Sequence, residues 1–280
     1  MTVKIITDST SDMPAEVAKE LGITVIPLYV NFGDEAYRDG VDLTTDDFYK
    51  RLTTDKTHPT TSTPAPADYA KEYDRLAEEA EGILVLTISR KLSATYDSAK
   101  QALGERKSKC HIELLDSRLS LMGLGLIAIT AAKAAKKGAD LKEVLALTKD
   151  NIPRLDMRIA FDTLEYLRRG GRIGKAQAFF GSLLKVNPIL TIKDGEVYPA
   201  ARERSRAKAV DYLVNFAAGY AKIDEMAVED ATTPDEADGL VARLGASFPK
   251  EKIYRSKVSP VIGAHVGPRV LSVIVLGEAV

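Results

Sequence analysis

The chain has 280 residues, 45% hydrophobic and 28% charged, with a formal net charge of −1. That profile belongs to a globular protein rather than a disordered one, and the length is large for one core but comfortable for two lobes, since domains commonly run to about 150 residues. The basic residues fall in alternating blocks instead of one stripe, so the electrostatic footprint of a nucleic-acid binder is missing, and the single cysteine, Cys110, can form neither an internal disulfide nor a cysteine-rich metal site.

The chain begins at once with a strand, "VKIIT", with no charged region, long apolar run or small-residue cleavage site ahead of it. Together with the lone cysteine this gives the expectation of a protein of the reducing cytoplasm. After it come "PAEVAKELG", "ITVIPLYVNF", a helical stretch from Ala67 to Ala80 and the all-apolar "ILVLTIS". This βαβα order predicts a mostly parallel sheet flanked by helices, its strands buried on both faces. In the helical stretch Tyr69, Tyr73, Leu76 and Ala80 recur three or four apart, a stripe for packing on the sheet.

The longest apolar run, "LMGLGLIAITAA" from Leu121 to Ala132, is shorter than the roughly 20 residues a membrane span needs. It reads as a buried helix, without integral membrane insertion. Gly123 and Gly125 inside it cost helix stability of about 1 kcal/mol each against alanine, so a neighbour or a ligand must come close there.

Beyond "TKDNIPRLD" arginines cluster, and a boundary near Pro153 gives an N-terminal α/β lobe of residues 1–153 and a C-terminal α/β lobe of residues 154–280. The second reads as strand "MRIAFD", helix "TLEYLRR", turn "GGRIG", helix "AQAFFGSLLKV", a hairpin turning at Asp194-Gly195, two further helix–strand alternations and a last buried strand "VLSVIVL".

Several turns carry polar groups where strands of a parallel sheet end, the usual place for a ligand. In "IITDSTSDMP" the residues Asp8 to Asp12 serve as turn and cap chemistry, or Asp8 serves as a phosphoryl-accepting nucleophile of a phosphate-ester hydrolase or transferase. Thr at position 10, where such an enzyme wants a second acid, speaks against the latter. No P-loop, G-x-S-x-G elbow, dinucleotide fingerprint or pair of metal-spaced histidines is present. Thr61 and Ser62 precede a helix opened by Pro66, and Ser93 falls near the start of another, where unpaired N–H groups favour an anion. Arg172 sits in a glycine turn and His265 in a short segment capped by Ser259 and ended by Gly267. Each signal alone has a bland reading: a cap serine, a solvated arginine, a structural histidine.

As an ordered set, "TDSTSDMP", "TSTPAP", "LSATYDSA", "DSRLSLMGLG", "DTLEYLRRGGRIG", "NPIL" and "SPVIGAHVGP" resemble the DegV family of bacterial fatty-acid-binding proteins, from about Val3 to Leu276. The resemblance implies a two-lobed α/β fold holding one long-chain fatty acid, such as palmitate, stearate or oleate, in an apolar tunnel between the lobes. It implies no cofactor and no catalysis by this chain. The partner it implies is a separate fatty acid kinase, which would turn the presented carboxylate into an acyl phosphate for phospholipid synthesis. Thr61, Ser62 and Ser93 match the head-group hydroxyls, Arg172 and His265 the basic residues near the carboxylate, and Arg202 a further basic residue of the site or kinase face. Phe161, Phe179, Phe180, Leu183, Leu184 and Ile262 are candidates for the tunnel wall. The chain departs from the pattern at Ala94, expected to narrow the head-group turn, at Ala65, expected to lack a cap bond, and at Arg269, expected in a turn favouring positive φ.

Overall fold

The computed structural model describes residues 2–179 and 186–280. Phe180, Leu183 and Leu184 of the expected tunnel wall lie outside the described residues. The strands in chain order are β1 Val3–Asp8, β2 Ile23–Ile26, β3 Tyr29–Phe32, β4 Glu35–Arg38, β5 Thr60–Ser62, β6 Gly82–Thr87 and β7 His111–Asp116. They continue with β8 Leu155–Phe161, β9 Asn187–Lys193, β10 Glu196–Glu203, β11 Tyr220–Asp230, β12 Ile253–Lys257 and β13 Val270–Ala279.

Three sheets result. The first, in the order β2-β1-β6-β7, is parallel throughout, as the βαβα order predicts. The alternation of side chains along β6 explains its apolar run: Ile83 and Val85 face one core together with Tyr69, Tyr73 and Ala99, while Leu84 and Leu86 face another. The second is a six-stranded mixed sheet, β10-β9-β8-β13-β11-β12. Its β9 and β10 form the expected hairpin, with Asp194 at φ 52° and Gly195 at φ 81°, the doubly positive pair that matches strand twist.

The third sheet, β4-β3-β5, is antiparallel and was not foreseen. "ITVIPLYVNF" reads as one strand, but the structure divides it at Pro27-Leu28 into β2 and β3, which belong to different sheets. Proline supplies no N–H to a ladder, and the N–H of Leu28 turns away to donate to Ser9 Oγ at 3.0 Å. As a consequence Thr61 and Ser62 lie on a short strand paired with β3, not in a turn.

Helix Leu121–Lys136 lies between the first sheet and the six-stranded one, sharing a core with Ile5 and Leu84 on one side and Met157 and Ile274 on the other. That position explains why residues 121–129 are buried all round, with no polar face. A Cβ on Gly123 would stand 2.4 Å from Met157 Cε, and one on Gly125 would stand 2.6 Å from the carbonyl oxygen of Ser11. Neighbours, not a ligand, account for both glycines. The opposite face of the six-stranded sheet, with Met226, Val228 and Val273, is covered by helices Arg206–Ala218 and Pro234–Leu244. The molecule is thus built in layers, helices on sheet on helix on sheet on helices.

Candidate functional site

A narrow cavity opens where the ends of β1, β5 and β6 approach the six-stranded sheet. Leu28, Ile88, Phe161, Leu167, Ile192 and Ile262 are among the apolar side chains that form most of its wall. Its polar lining consists of Thr10, Thr61, Ser93, Ser120, Arg172 and His265. Residues from both ends of the chain therefore meet in one place.

Pairing with β3 fixes Thr61 and sends Ser62 to the opposite side, because successive side chains on a strand alternate. Thr61 reaches the cavity. Ser62 does not: it is exposed, accepts from Asn31 Nδ2 at 3.3 Å and borders a separate surface cleft. The segment after β5 is tied to helix Thr95–Glu105 by Ser98 Oγ, which donates to the Pro64 carbonyl at 2.5 Å. Ser93 sits just ahead of helix Thr95–Glu105, its Oγ 2.8 Å from Thr95 Oγ1 and accepting from the Thr95 N–H at 3.3 Å.

His265 is carried by the short helix Pro260–Val266, bounded as expected by Ser259 and by Gly267 at φ 83°. Its Nε2 is 2.9 Å from Thr61 Oγ1, while its buried Nδ1 has no partner among the described residues. Burial, aided by the charge of Arg172 and by His58, pushes its pKa down to about 4. The resemblance placed His265 among basic residues. At that pKa it is a neutral imidazole at pH 7, a hydrogen-bonding partner rather than a cation.

The "RRGGRIG" turn explains itself at this point. A Cβ on Gly170 would fall 2.1 Å from His265 Nδ1, so glycine is required for the ring to lie against this backbone. Gly171 has φ 68°, a conformation costly for any side chain. The turn delivers Arg172, whose Nε donates to the Leu92 carbonyl at 3.1 Å and whose Nη1 donates to the Gly170 carbonyl at 2.8 Å. The guanidinium is thereby fixed one residue from Ser93.

Arg202 is not part of the lining. It is exposed on β10 with its guanidinium 4.1 Å from the centroid of the Phe179 ring. Of the wall candidates, Phe161 and Ile262 line the cavity and Phe179 is buried without lining it. Reading the sequence missed Thr10 and Ser120, although both sit in strand-end turns of the kind that flagged Ser93.

Asp8 has a structural task. Its carboxylate accepts from Thr10 N–H at 3.1 Å, Thr10 Oγ1 at 2.5 Å and Ile88 N–H at 2.9 Å, which ties the ends of β1 and β6 together. Burial raises its pKa to about 6. Both oxygens are engaged and no surface is exposed, so an incoming phosphorus atom has no approach. Among the described residues no group of His, Cys, Asp and Glu is arranged to hold a metal ion, and no helix is long and apolar enough to cross a membrane.

Of the three departures, Ala65 leaves helix Pro66–Ala77 without a side-chain cap bond, and Asp68 instead accepts from the Ala65 N–H at 3.0 Å. Arg269 does not occupy the positive-φ position of its turn. Gly267 does, and Arg269 donates to Asp162 at 2.6 Å and Glu236 at 3.1 Å. Ala94 occupies the cap position before Thr95.

Comparison with known proteins bears directly on this geometry. The family model described as "Uncharacterised protein, DegV family" matches residues 2–278. The chain belongs to the DegV family. It is 38% identical over 279 residues to a DegV domain-containing protein of Streptomyces coelicolor, covering 98% of each chain. Among solved structures it is similar to a fatty-acid-binding DegV family protein from Thermus thermophilus, with a TM-score of 0.91, 34% identity and coverage of 99% and 100% of the two chains. It is likewise similar to DegV, a fatty acid binding protein from Bacillus subtilis, with a TM-score of 0.88, 30% identity and 99% of each chain covered. These DegV relatives match the described layers from end to end, the mixed α/β architecture included.

Proposed function

We propose that this protein is a carrier that binds a long-chain fatty acid in the cavity and presents its carboxylate to a separate fatty acid kinase for acyl phosphate formation. The observation that carries the reading is the cavity itself: a mostly apolar wall whose polar lining includes Thr61, Ser93, His265 and Arg172. The fatty-acid-binding DegV proteins of the comparison support it.

The physical division of labour follows from that lining. Burial of some 14 methylenes contributes roughly 11 kcal/mol before the costs of ordering, so the tail supplies most of the affinity. The head group supplies orientation. Hydroxyls of Thr61 and Ser93 donate to a carboxylate, the Arg172 guanidinium balances its charge, and none of these groups attacks it. The His265 Nε2–H tautomer donates to Thr61 Oγ1 and so frees the threonine proton for the ligand. On this reading residues 1–153 and 154–280 act as two lobes with the ligand between them, and the protein works in the cytoplasm as a co-substrate rather than an enzyme, with no cofactor.

The kinase claim is tested by incubating the loaded protein with a bacterial fatty acid kinase and ATP and trapping acyl phosphate with hydroxylamine. Hydroxamate that appears only when the loaded protein is present supports the claim. Its formation at the same rate from free fatty acid contradicts it.

A further inference from the structure

Adjoining the cavity the chain builds a second, polar pocket, lined among others by Lys91, Gly171, Arg172, Gly174, Lys175 and Glu196. It shares Leu92, Arg172 and Val197 with the apolar cavity, so Arg172 stands at the junction of the two. The charges there are unbalanced. Lys91 pairs with Glu196 at 3.1 Å, and the neighbouring Arg168 and Arg169 both pair with Glu165 at 2.7 Å. Arg172 and Lys175 have no carboxylate partner among the described residues. A fatty acid brings one negative charge, enough for one of them. The second cation has no task in holding a fatty acid.

We propose that this pocket is a phosphate-binding subsite, which receives the phosphoryl group when the bound acid has become an acyl phosphate. The proposal rests on the fatty-acid reading above and extends it to the product. In the conversion a carboxylate oxygen attacks the γ-phosphorus of the kinase's ATP. A new P–O bond forms as the bond to the β–γ bridging oxygen breaks, and ADP leaves with that electron pair. The product carries about two negative charges where the substrate carried one, and its head is longer by a phosphate group. It must extend past the carboxylate position, and the pocket on the far side of Arg172 is where that extension leads. Gly171, with φ of 68° and no atom within 4 Å of where a Cβ would stand, turns the backbone there without adding a side chain to the space. Glu196 is the one acid in the lining and opposes the ligand, which supplies a test of opposite sign.

Dissociation constants are measured for palmitate and for the β-ketophosphonate analogue of palmitoyl phosphate, in which a methylene replaces the bridging oxygen. Wild type, Lys175→Met and Glu196→Gln are compared, and inorganic phosphate is titrated into the palmitate-loaded protein. Lys175→Met is expected to weaken the analogue about fivefold and palmitate less than about twofold, while Glu196→Gln tightens the analogue. The proposal is overturned by equal shifts for both ligands or by no shift in either variant. It is also overturned if inorganic phosphate binds the loaded protein and depends on Lys175 as strongly as the analogue does, since the pocket would then serve a free phosphate. A wild-type protein that binds neither lipid defeats the fatty-acid reading itself, a result distinct from all of these.

Discussion

Thr61 Oγ1 and His265 Nε2 meet at 2.9 Å although 204 residues separate them in the chain. One sits on an edge strand of a small antiparallel sheet, the other on a short helix between β12 and β13 of the six-stranded sheet. Both side chains line the largely apolar cavity, so their contact joins polar groups from distant parts of the chain inside it.

Removing head-group contacts should separate presentation from retention. Ser93→Ala and His265→Ala are expected to lower kinase-dependent acyl phosphate formation more than tenfold. Loss of one or two hydrogen bonds, at about 1 kcal/mol each, should weaken lipid retention by less than about tenfold. Kinase assays run alongside fatty-acid binding measurements check this. An equal loss in both would show that the tail does not dominate affinity.

Gly170→Ala should be the more damaging of the two neighbouring glycine substitutions. Its Cβ would fall 2.1 Å from His265 Nδ1 and must displace the ring, whereas Gly171→Ala meets no atom within 4 Å and suffers only its positive φ. Thermal unfolding should register a loss of about 1–3 kcal/mol for Gly170→Ala and about 1 kcal/mol for Gly171→Ala. Only the former should also weaken binding, because only it moves His265.

The buried acids give an unusual pH dependence. Burial raises Asp39 to about 7 and pushes Glu229 upward as well, well above their values in an unfolded chain. The folded state therefore keeps protons that the unfolded state releases near pH 4, so this contribution to stability is greatest below that pH and, for Asp39, is lost as pH rises through about 7. Asp39→Asn removes one such group. Its stability relative to wild type should rise on the order of 3 kcal/mol between pH 4 and pH 8, measured by denaturant unfolding across that range. A difference that is constant with pH would mean that Asp39 is ionised in the fold.

Asp8→Asn separates the carrier from a hydrolase. Asp8 accepts three hydrogen bonds within the fold. The variant should keep its bound lipid, and wild type should show no phosphate-ester turnover. Turnover that disappears in Asp8→Asn would instead assign the residue a nucleophile's role.

Much of the fold was legible because local rules and tertiary packing agree. The βαβα alternation gives the parallel sheet, and the all-apolar run at Leu121 gives a helix buried all round. Asp194-Gly195 gives the hairpin. The small sheet was not legible, since nothing short of Pro27 marks where an apolar run leaves one sheet and joins another. The site was legible in pieces. Strand-end turns flagged Ser93, and the glycine turn flagged Arg172. Ser62 shares its motif with Thr61 but is sent outward by strand alternation, which depends on the pairing of β5 with β3. The neutral state of His265 was beyond the sequence too, because it follows from burial beside Arg172, a residue brought there by the fold.

Mass spectrometry of an organic extract of the purified protein tests the central claim most directly, with buffer and an unrelated protein as controls. A long-chain fatty acid at close to one per chain is the predicted result, and its mass gives the chain length and unsaturation. A protein that is empty, and remains empty after incubation with palmitate, stearate and oleate, would contradict the account.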